Sequence, residues 1–119
     1  MNKKEALRKK RHQRIKLKIS GSAQRPRVVI FRSVNHLVAQ FVDDISQKTL
    51  FSVSTNDKDV RQKIPTGGNI KSAQLLGEIC GQKAKEKGVT QVVFDRAGHI
   101  YHGRIKAFAE SLRKAGLQF

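Results

Sequence analysis

The sequence predicts an α/β domain with a mixed sheet, made of an antiparallel three-strand meander plus a parallel crossover strand, with two packing helices and a basic N-terminal arm. Three observations support this fold. Three short runs rich in Val, Ile, Phe and Thr follow one another between residues 27 and 54. From residue 69 onward the apolar residues recur at steps of three and four, as on a helix. The order strand, helix, strand, helix then implies a parallel crossover added to the meander.

The N-terminal segment is the most basic part of the chain. The first 27 residues hold 11 Lys and Arg against one acid, Glu5, in a chain of net charge +16. Such like charges repel one another in water, so the segment predicts binding to a polyanion, and nucleic acid is the commonest one. The candidate phosphate contacts of the arm are Lys3, Lys4, Arg8, Lys9, Lys10, Arg11, Arg14, Lys16 and Lys18.

We divide the chain into an arm, residues 1–24, and an α/β RNA-binding domain, residues 25–119. The apolar residues of the arm do not fall on one helical face, and those from Ile15 to Ile19 alternate with lysines at the period of an extended strand. We therefore expect the arm to be mobile without RNA. Its first part is expected to become helical only when phosphates neutralise it.

The strands of the meander are predicted at Arg27–Arg32, Leu37–Asp43 and Thr49–Ser54. Their connections, residues 33–36 and 44–48, have the length of hairpin loops. Residues 55–68 predict a long exposed connection, because Asn, Asp, Pro and Gly supply turn chemistry there.

The second half of the chain predicts two helices and one strand. The first helix begins at Asn69, has a stripe of small residues that lets it sit close on a sheet, and stops at Gly88. A short strand, Gln91–Phe94, and a loop, Asp95–Gly103, follow it. The second helix is marked by Ile105, Phe108, Ala109 and Leu112 and ends near Gly116.

The composition excludes several classes of protein. With one cysteine, Cys80, the chain can form no internal disulfide and no cysteine-based zinc site, which suits a reducing cytosol. The longest purely aliphatic or aromatic run, Val28–Phe31, is far too short for a membrane span. The basic N-terminus also lacks the apolar stretch of a secretory signal. We expect no cofactor, no metal and no small-molecule substrate.

Two loops collect side chains that suit RNA. In the loop after the last strand, rings can stack on unpaired bases, glycines allow close backbone approach and arginines can bridge phosphates. Its candidates are Arg96, His99, Tyr101, His102, Gly103 and Arg104. The alternative is that Tyr101 and Ile100 cap the sheet edge and the histidines are solvated.

In the first hairpin, Ser33, Asn35 and His36 are candidates for ribose or phosphate contacts, although an ordinary polar turn has the same composition.

The remaining titratable residues favour structural roles. The histidines lack a nearby pair of carboxylates, so an RNA-contacting or solvated role is favoured over a metal site. Cys80 lies on the apolar helical stripe, which favours a buried thiol. Asp95 is predicted to pair with Arg96 and hold that arginine. An alternative class, a metal-dependent nuclease, would use Asp43, Asp95 and Glu110.

Three stretches of the chain resemble the bacterial large-subunit ribosomal protein L-eighteen family, which binds 5S rRNA. They are VVFDRAGHIYHGRIKAFAESLRKAGLQF at the C-terminal end, RPRVVIFRSVNHLVAQ in the first hairpin and GNIKSAQLLGEICGQKAKEKGV on the first domain helix. The elements FDR, YHGR and AGLQF are specific in combination, and the resemblance covers essentially the whole chain.

The resemblance implies a non-catalytic structural constituent of the large ribosomal subunit. Such a protein would hold 5S rRNA in the central protuberance and help attach it to 23S rRNA, near the neighbouring 5S-binding protein L-five. The domain residues implied to face RNA are Arg25, Arg27, Arg32, Ser33, His36, Gln40, Arg96, Tyr101, His102, Gly103 and Arg104. A further alternative is a protein that coats DNA without sequence preference.

Overall fold

The computed structural model describes residues 2–18, 20–63, 68–99 and 101–119. Its elements follow the chain in the order α1 (Lys3–Lys18), β1 (Arg27–Arg32), β2 (Leu37–Asp43), β3 (Lys48–Ser54), α2 (Lys58–Arg61), α3 (Ile70–Glu86), β4 (Val93–Asp95) and α4 (Gly103–Lys114). The four strands form one sheet in the order β3-β2-β1-β4. Strand β2 is antiparallel to β1 and β3, whereas β4 is parallel to β1. The predicted mixed sheet is confirmed.

The predicted strands differ little from the observed ones. β1 and β2 have the predicted bounds, and β3 begins at Lys48, one residue before its predicted start. The last strand was predicted at Gln91–Phe94, whereas Gln91 forms only an isolated bridge with Gln118 and Asp95 belongs to β4. The long connection after β3 contains the one-turn helix α2, and its residues 64–67 lie outside the described part of the chain.

Helix α3 has the ends that its sequence predicts. Asn69 Oδ1 accepts a hydrogen bond from the Ser72 amide at 2.8 Å and so caps the first turn. At the other end, Gly88 has a φ of 78°, which a glycine adopts without steric cost.

One face of the sheet carries the core. Strand alternation directs Val28, Ile30 and Phe41 toward α3 and α4, where they join the buried cluster of both helices. Gly77, the glycine of the predicted small-residue stripe, lies against α4 and not against the sheet. A Cβ on Gly77 would lie 2.6 Å from Ser111 Cβ, and Ser111 Oγ donates to Gln74 O at 2.6 Å.

The N-terminal arm contains a long helix. Glu5 N donates to Asn2 Oδ1 at 2.8 Å, which caps α1, and a Glu5–Arg8 ion pair of 3.1 Å supports its first turns. The prediction of extended backbone from Ile15 onward is therefore wrong for residues 15–18, while Ile19 lies outside the described residues. Mobility of the arm without RNA stays a prediction.

Candidate nucleic-acid interface

Helix α1 is attached to the loop that follows β4. Arg8 Nη1 donates to the Ala97 carbonyl and Arg11 Nε donates to the Gly98 carbonyl, each at 2.9 Å. With His12, these arginines are spaced three and four residues apart and therefore lie on one face of the helix. The docking face of α1 is thus polar, and the helix docks without an apolar stripe.

The loop after β4 has a backbone shape that fits this contact. Ala97 and Gly98 have φ angles of 55° and 80°, and Asp95 Oδ1 accepts from the Ala97 amide at 2.8 Å. A Cβ on Gly98 would overlap the Arg8 carbonyl oxygen and lie 2.9 Å from the His12 amide nitrogen. Only glycine therefore lets the backbones of α1 and this loop approach so closely.

Asp95 is a buried centre of hydrogen bonds. Its Oδ2 lies 2.6 Å from Arg27 Nη1 and 3.0 Å from His12 Nε2. Arg27 also binds Asp44, with Nε and Nη2 at 2.9 and 3.1 Å from its two carboxylate oxygens. Asp44 Oδ2 in turn accepts from the Gly21 amide at 2.7 Å. This cluster joins α1, the segment before β1 and β4 to one another.

The two carboxylates also stabilise the charge on Arg27. Burial opposes that charge, but the hydrogen bonds and charges of Asp44 and Asp95 outweigh the burial, so the pKa of the Arg27 guanidinium is raised. Arg27, which the sequence predicts to face RNA, is 7% exposed, and its guanidinium donates to Asp44 and Asp95 inside the protein.

The predicted Asp95–Arg96 pair is wrong. Arg96 is exposed, and among the described residues the ion pairs of Asp95 are with His12 and Arg27.

The first hairpin is closed by its own polar residues. Ser33 N donates to the His36 carbonyl at 2.9 Å, and Ser33 Oγ accepts from the His36 amide at 3.1 Å. The His36 ring pairs with Thr55 Oγ1 at 3.2 Å, while Asn35 at the tip is exposed. The hairpin therefore presents Asn35 to solvent and uses the Ser33 hydroxyl to hold the turn.

Arg32 lies close to the loop after β4, to the start of α4 and to the arm. Burial first, and then the charge of Arg32, lower the pKa of Arg104, and Arg104 Nη1 lies 3.5 Å from the His36 carbonyl. Burial, followed by Arg32 and Arg8, lowers the pKa of His99 to about 4. Arg8, Arg11, Arg32 and His99 also line one cleft, and Arg104 lies close enough to Arg32 for its charge to act on it. We name Arg8, Arg11, Arg32, His99 and Arg104 the basic edge.

Other predicted site residues lie apart from the basic edge or extend it. Arg25 lies with Gln91, Gln118 and Phe119 before the start of β1, whereas Arg32 ends that strand, which is about 17 Å long at the usual rise. Gln40 is half-buried in the middle of β2, between Val29 and Ser52. The exposed candidates of the arm and the loop are Lys3, Lys4, Lys9, Lys10, Arg11, Arg14, Arg96, Tyr101 and His102.

The start of α4 also belongs to this loop. His102 is the N-cap residue without a side-chain cap bond, and Gly103 begins the helix with a φ of 57°. The exposed ring of His102 is therefore accessible to solvent at the start of the helix. The side chains of Lys16 and Lys18, together with Ile100, lie outside the described part of the chain.

Comparison with known proteins identifies the family. A sequence model described as "Ribosomal L18 of archaea, bacteria, mitoch. and chloroplast" matches residues 2–119. The chain belongs to this family. It is therefore a ribosomal protein of the L-eighteen family, as its sequence motifs suggest.

Relatives match this family member along most of their length. The "Large ribosomal subunit protein uL18" of Bacillus cytotoxicus is 53% identical over 116 residues, which are 98% of this chain and 95% of the relative. The uL18 proteins of Alkaliphilus metalliredigens and Solibacter usitatus are 50% and 49% identical over 109 and 116 residues. These matches cover 92% and 98% of this chain and 89% and 95% of the relatives.

Membership of the L-eighteen family decides against the nuclease alternative, because the family consists of structural proteins and not of enzymes. The carboxylates agree with this. Asp95 is neutralised by Arg27, Asp43 accepts from Ser46 Oγ at 2.8 Å, and Glu110 is exposed on α4. Residues 2–18, 20–63, 68–99 and 101–119 contain no group of three His, Cys, Asp or Glu that could hold a metal ion.

Two further features of this L-eighteen protein fit its composition. Burial raises the pKa of the Cys80 thiol, so the thiolate is disfavoured at neutral pH. None of the helices in the described part of the chain has the length and apolar character needed to span a bilayer.

Proposed function

We propose that this protein is a structural constituent of the large ribosomal subunit that binds 5S rRNA and helps attach it to 23S rRNA in the central protuberance. Its neighbour there is the 5S-binding protein L-five. The observation that carries the proposal is the convergence of arginines from three separate segments at the basic edge. Arg11 comes from the arm, Arg32 from β1 and Arg104 from α4.

The chemistry of the basic edge suits a folded RNA. Guanidinium groups donate fixed pairs of hydrogen bonds to phosphate oxygens, and exposed Tyr101 and His102 offer rings to unpaired bases. Side chains cannot read bases in the deep groove of an A-form helix, so recognition rests on phosphate, ribose and shape. We therefore assign sequence readout a minor part.

The arm supplies the second attachment. Lys3, Lys9, Lys10 and Arg14 of α1 are exposed, so they remain available after the helix has docked through Arg8, Arg11 and His12. A docked helix that is basic on its outer face can join a second RNA segment to the one bound by the domain. This segment is assigned to 23S rRNA.

The experiment that tests the proposal is a salt titration of the full chain with a 5S rRNA transcript, with duplex DNA as competitor. If about 6 to 10 phosphates are neutralised, affinity falls by about three to five orders of magnitude between about 50 and 200 mM salt. Folded 5S rRNA is expected to outcompete the duplex. A flat salt response would contradict the electrostatic account, and equal competition by the duplex would favour a protein that coats DNA.

A further inference from the structure

A cleft separates α1 from the sheet at the basic edge. It has a volume of about 460 Å³ and is lined by Lys4, Glu5, Leu7, Arg8, Arg11, Arg32 and His99. One wall therefore comes from the arm and the other from β1 and the loop after β4. The cleft exists only because Gly98 lets α1 approach that loop.

The lining of the cleft is strongly cationic. Its one acid, Glu5, is paired with Arg8 at 3.1 Å, and Arg8 and Arg11 are held in place by the carbonyls of Ala97 and Gly98. The Ala97 carbonyl accepts one hydrogen bond from Arg8, and the Gly98 carbonyl accepts one from Arg11. Both guanidinium groups are therefore oriented before any partner binds. Lys4 and Arg32 add exposed charges from opposite walls.

We propose that this cleft is a binding site for a backbone phosphate of 5S rRNA, held between Lys4 and Arg11 of the arm and Arg32 of the sheet. The inference rests on the proposed function and adds a 5S contact to the arm, beyond its attachment to 23S rRNA. A phosphodiester carries one charge and several acceptor oxygens, which match the oriented guanidinium of Arg11 on one wall and the exposed charge of Arg32 on the other. Its bound charge would relieve the repulsion among the lining cations.

His99 makes binding at this site dependent on pH. The groups that face it are Arg32, Arg8 and His12, which disfavour its protonated form, and Glu5, which favours it. With a pKa of about 4 the imidazole is neutral in the free protein near pH 6. A bound phosphate adds a negative charge beside the ring and raises that pKa. The complex then takes up a proton, so affinity rises as the pH falls from about 7 toward 5.

The first test compares charge removals inside and outside the cleft. Arg32→Gln and Lys4→Gln each remove one charge from a wall without breaking the hydrogen bonds of α1 to the loop. Each is expected to weaken binding of the 5S rRNA transcript about tenfold and to lower the salt slope by about 0.7 to 0.9. The matched control is Lys114→Gln, an equal charge loss at the exposed end of α4, with an expected effect below about twofold.

The second test measures proton uptake on binding, from the calorimetric enthalpy in two buffers of different ionisation enthalpy near pH 5, one unit above the pKa of about 4 in the free protein. The wild-type chain is expected to take up a fraction of a proton that His99→Gln does not. If Arg32→Gln and Lys4→Gln match Lys114→Gln while the wild type binds the transcript, the cleft is not a phosphate site and the proposed function stands. Equal proton uptake by the wild type and His99→Gln also overturns the cleft assignment. If the wild type itself ignores the transcript, both proposals fail.

Discussion

Arg27 Nη1 lies 2.6 Å from Asp95 Oδ2 in a buried ion pair between the adjacent parallel strands β1 and β4. His12 of the arm contacts the same carboxylate oxygen of Asp95, and Asp44, directly after β2, pairs with the same guanidinium of Arg27. One ion pair therefore links the arm, the meander and the crossover strand. This linkage makes the position of the basic edge depend on the buried residues Arg27 and Asp95.

Replacement of Arg27 tests how much this pair stabilises the fold. Arg27→Gln leaves the Asp95 carboxylate buried with His12 as its remaining side-chain partner, and we expect a loss of about 3 to 5 kcal/mol in the free energy of unfolding, measured by urea denaturation. Arg96→Gln, a change at an exposed arginine, serves as the control. The double variant Arg27→Gln, Asp95→Asn is expected to recover part of the loss. Additive losses in the double variant would show that the two side chains are not coupled.

Gly98 and Gly88 form a matched pair for testing the contact of the arm. Both have positive φ angles, 80° and 78°, so alanine strains the backbone equally at each. Nothing lies within 4 Å of a Cβ on Gly88, whereas a Cβ on Gly98 meets the backbone of α1. We expect Gly98→Ala to cost about 1 to 3 kcal/mol more than Gly88→Ala and to raise amide exchange in residues 3–14. Equal exchange in the two variants would contradict the docking.

His99 gives stability a predictable pH dependence. Its pKa falls from the ordinary 6.5 to about 4 on folding, so between these values the unfolded chain binds a proton that the folded chain does not. Stability then decreases as the pH is lowered from about 6.5 toward 4. We expect a flatter dependence in His99→Gln, measured by urea denaturation at several pH values, and no such flattening in His102→Gln, whose ring is exposed. An unchanged pH dependence in His99→Gln would exclude this titration.

Arg104 tests the contribution of the loop to RNA binding. Its contact with the His36 carbonyl is long, at 3.5 Å, so Arg104→Ala is expected to change stability little. We expect it to weaken binding of 5S rRNA about tenfold in a filter-binding assay at constant salt. Lys106→Ala, two residues further along the same helix and exposed, is the control. Unchanged affinity in Arg104→Ala would remove this loop from the interface.

Gly77 tests the close packing of α3 on α4. In an open helix, alanine in place of glycine stabilises by about 1 kcal/mol. Here the added Cβ would lie 2.6 Å from Ser111 Cβ and 2.9 Å from the Phe108 carbonyl oxygen, so we expect Gly77→Ala to destabilise by about 1 to 3 kcal/mol in urea denaturation. Gln82→Ala, on the exposed side of α3, is expected to be nearly neutral. A stabilised Gly77→Ala variant would show that the two helices separate easily.

Local patterns in the sequence predicted most of the fold. The bounds of β1 and β2 followed from runs of β-branched and aromatic residues, and α3 followed from its helical period and the glycine at its end. These patterns depend on the backbone geometry and burial of residues that are close in sequence, so a short stretch of sequence is enough to recognise them. They also placed Arg32, His99 and Arg104 among the candidates that the structure brings together at the basic edge.

The parts that escaped prediction depend on distant partners. Asp95 was assigned to its neighbour Arg96, but it pairs with Arg27, 68 residues away in the sequence. A helix was predicted only for the first part of the arm and only with bound phosphate, because the docking face of α1 consists of Arg8, Arg11 and His12, whose partners lie more than 80 residues further along the chain. The spacing of these three residues by three and four was the available signal. An apolar criterion for helices does not detect it.

The chain order of these contacts determines when the surface is completed during synthesis. The arm leaves the translating ribosome first, whereas Ala97 and Gly98, to which it docks, are polymerised 89 and 87 residues after Arg8 and Arg11 respectively. The parallel pairing of β1 with β4 likewise cannot form until β4 has been synthesised. A nascent chain therefore carries its cationic helix unattached until Ala97 and Gly98 have been made, and the assembled edge forms only after them.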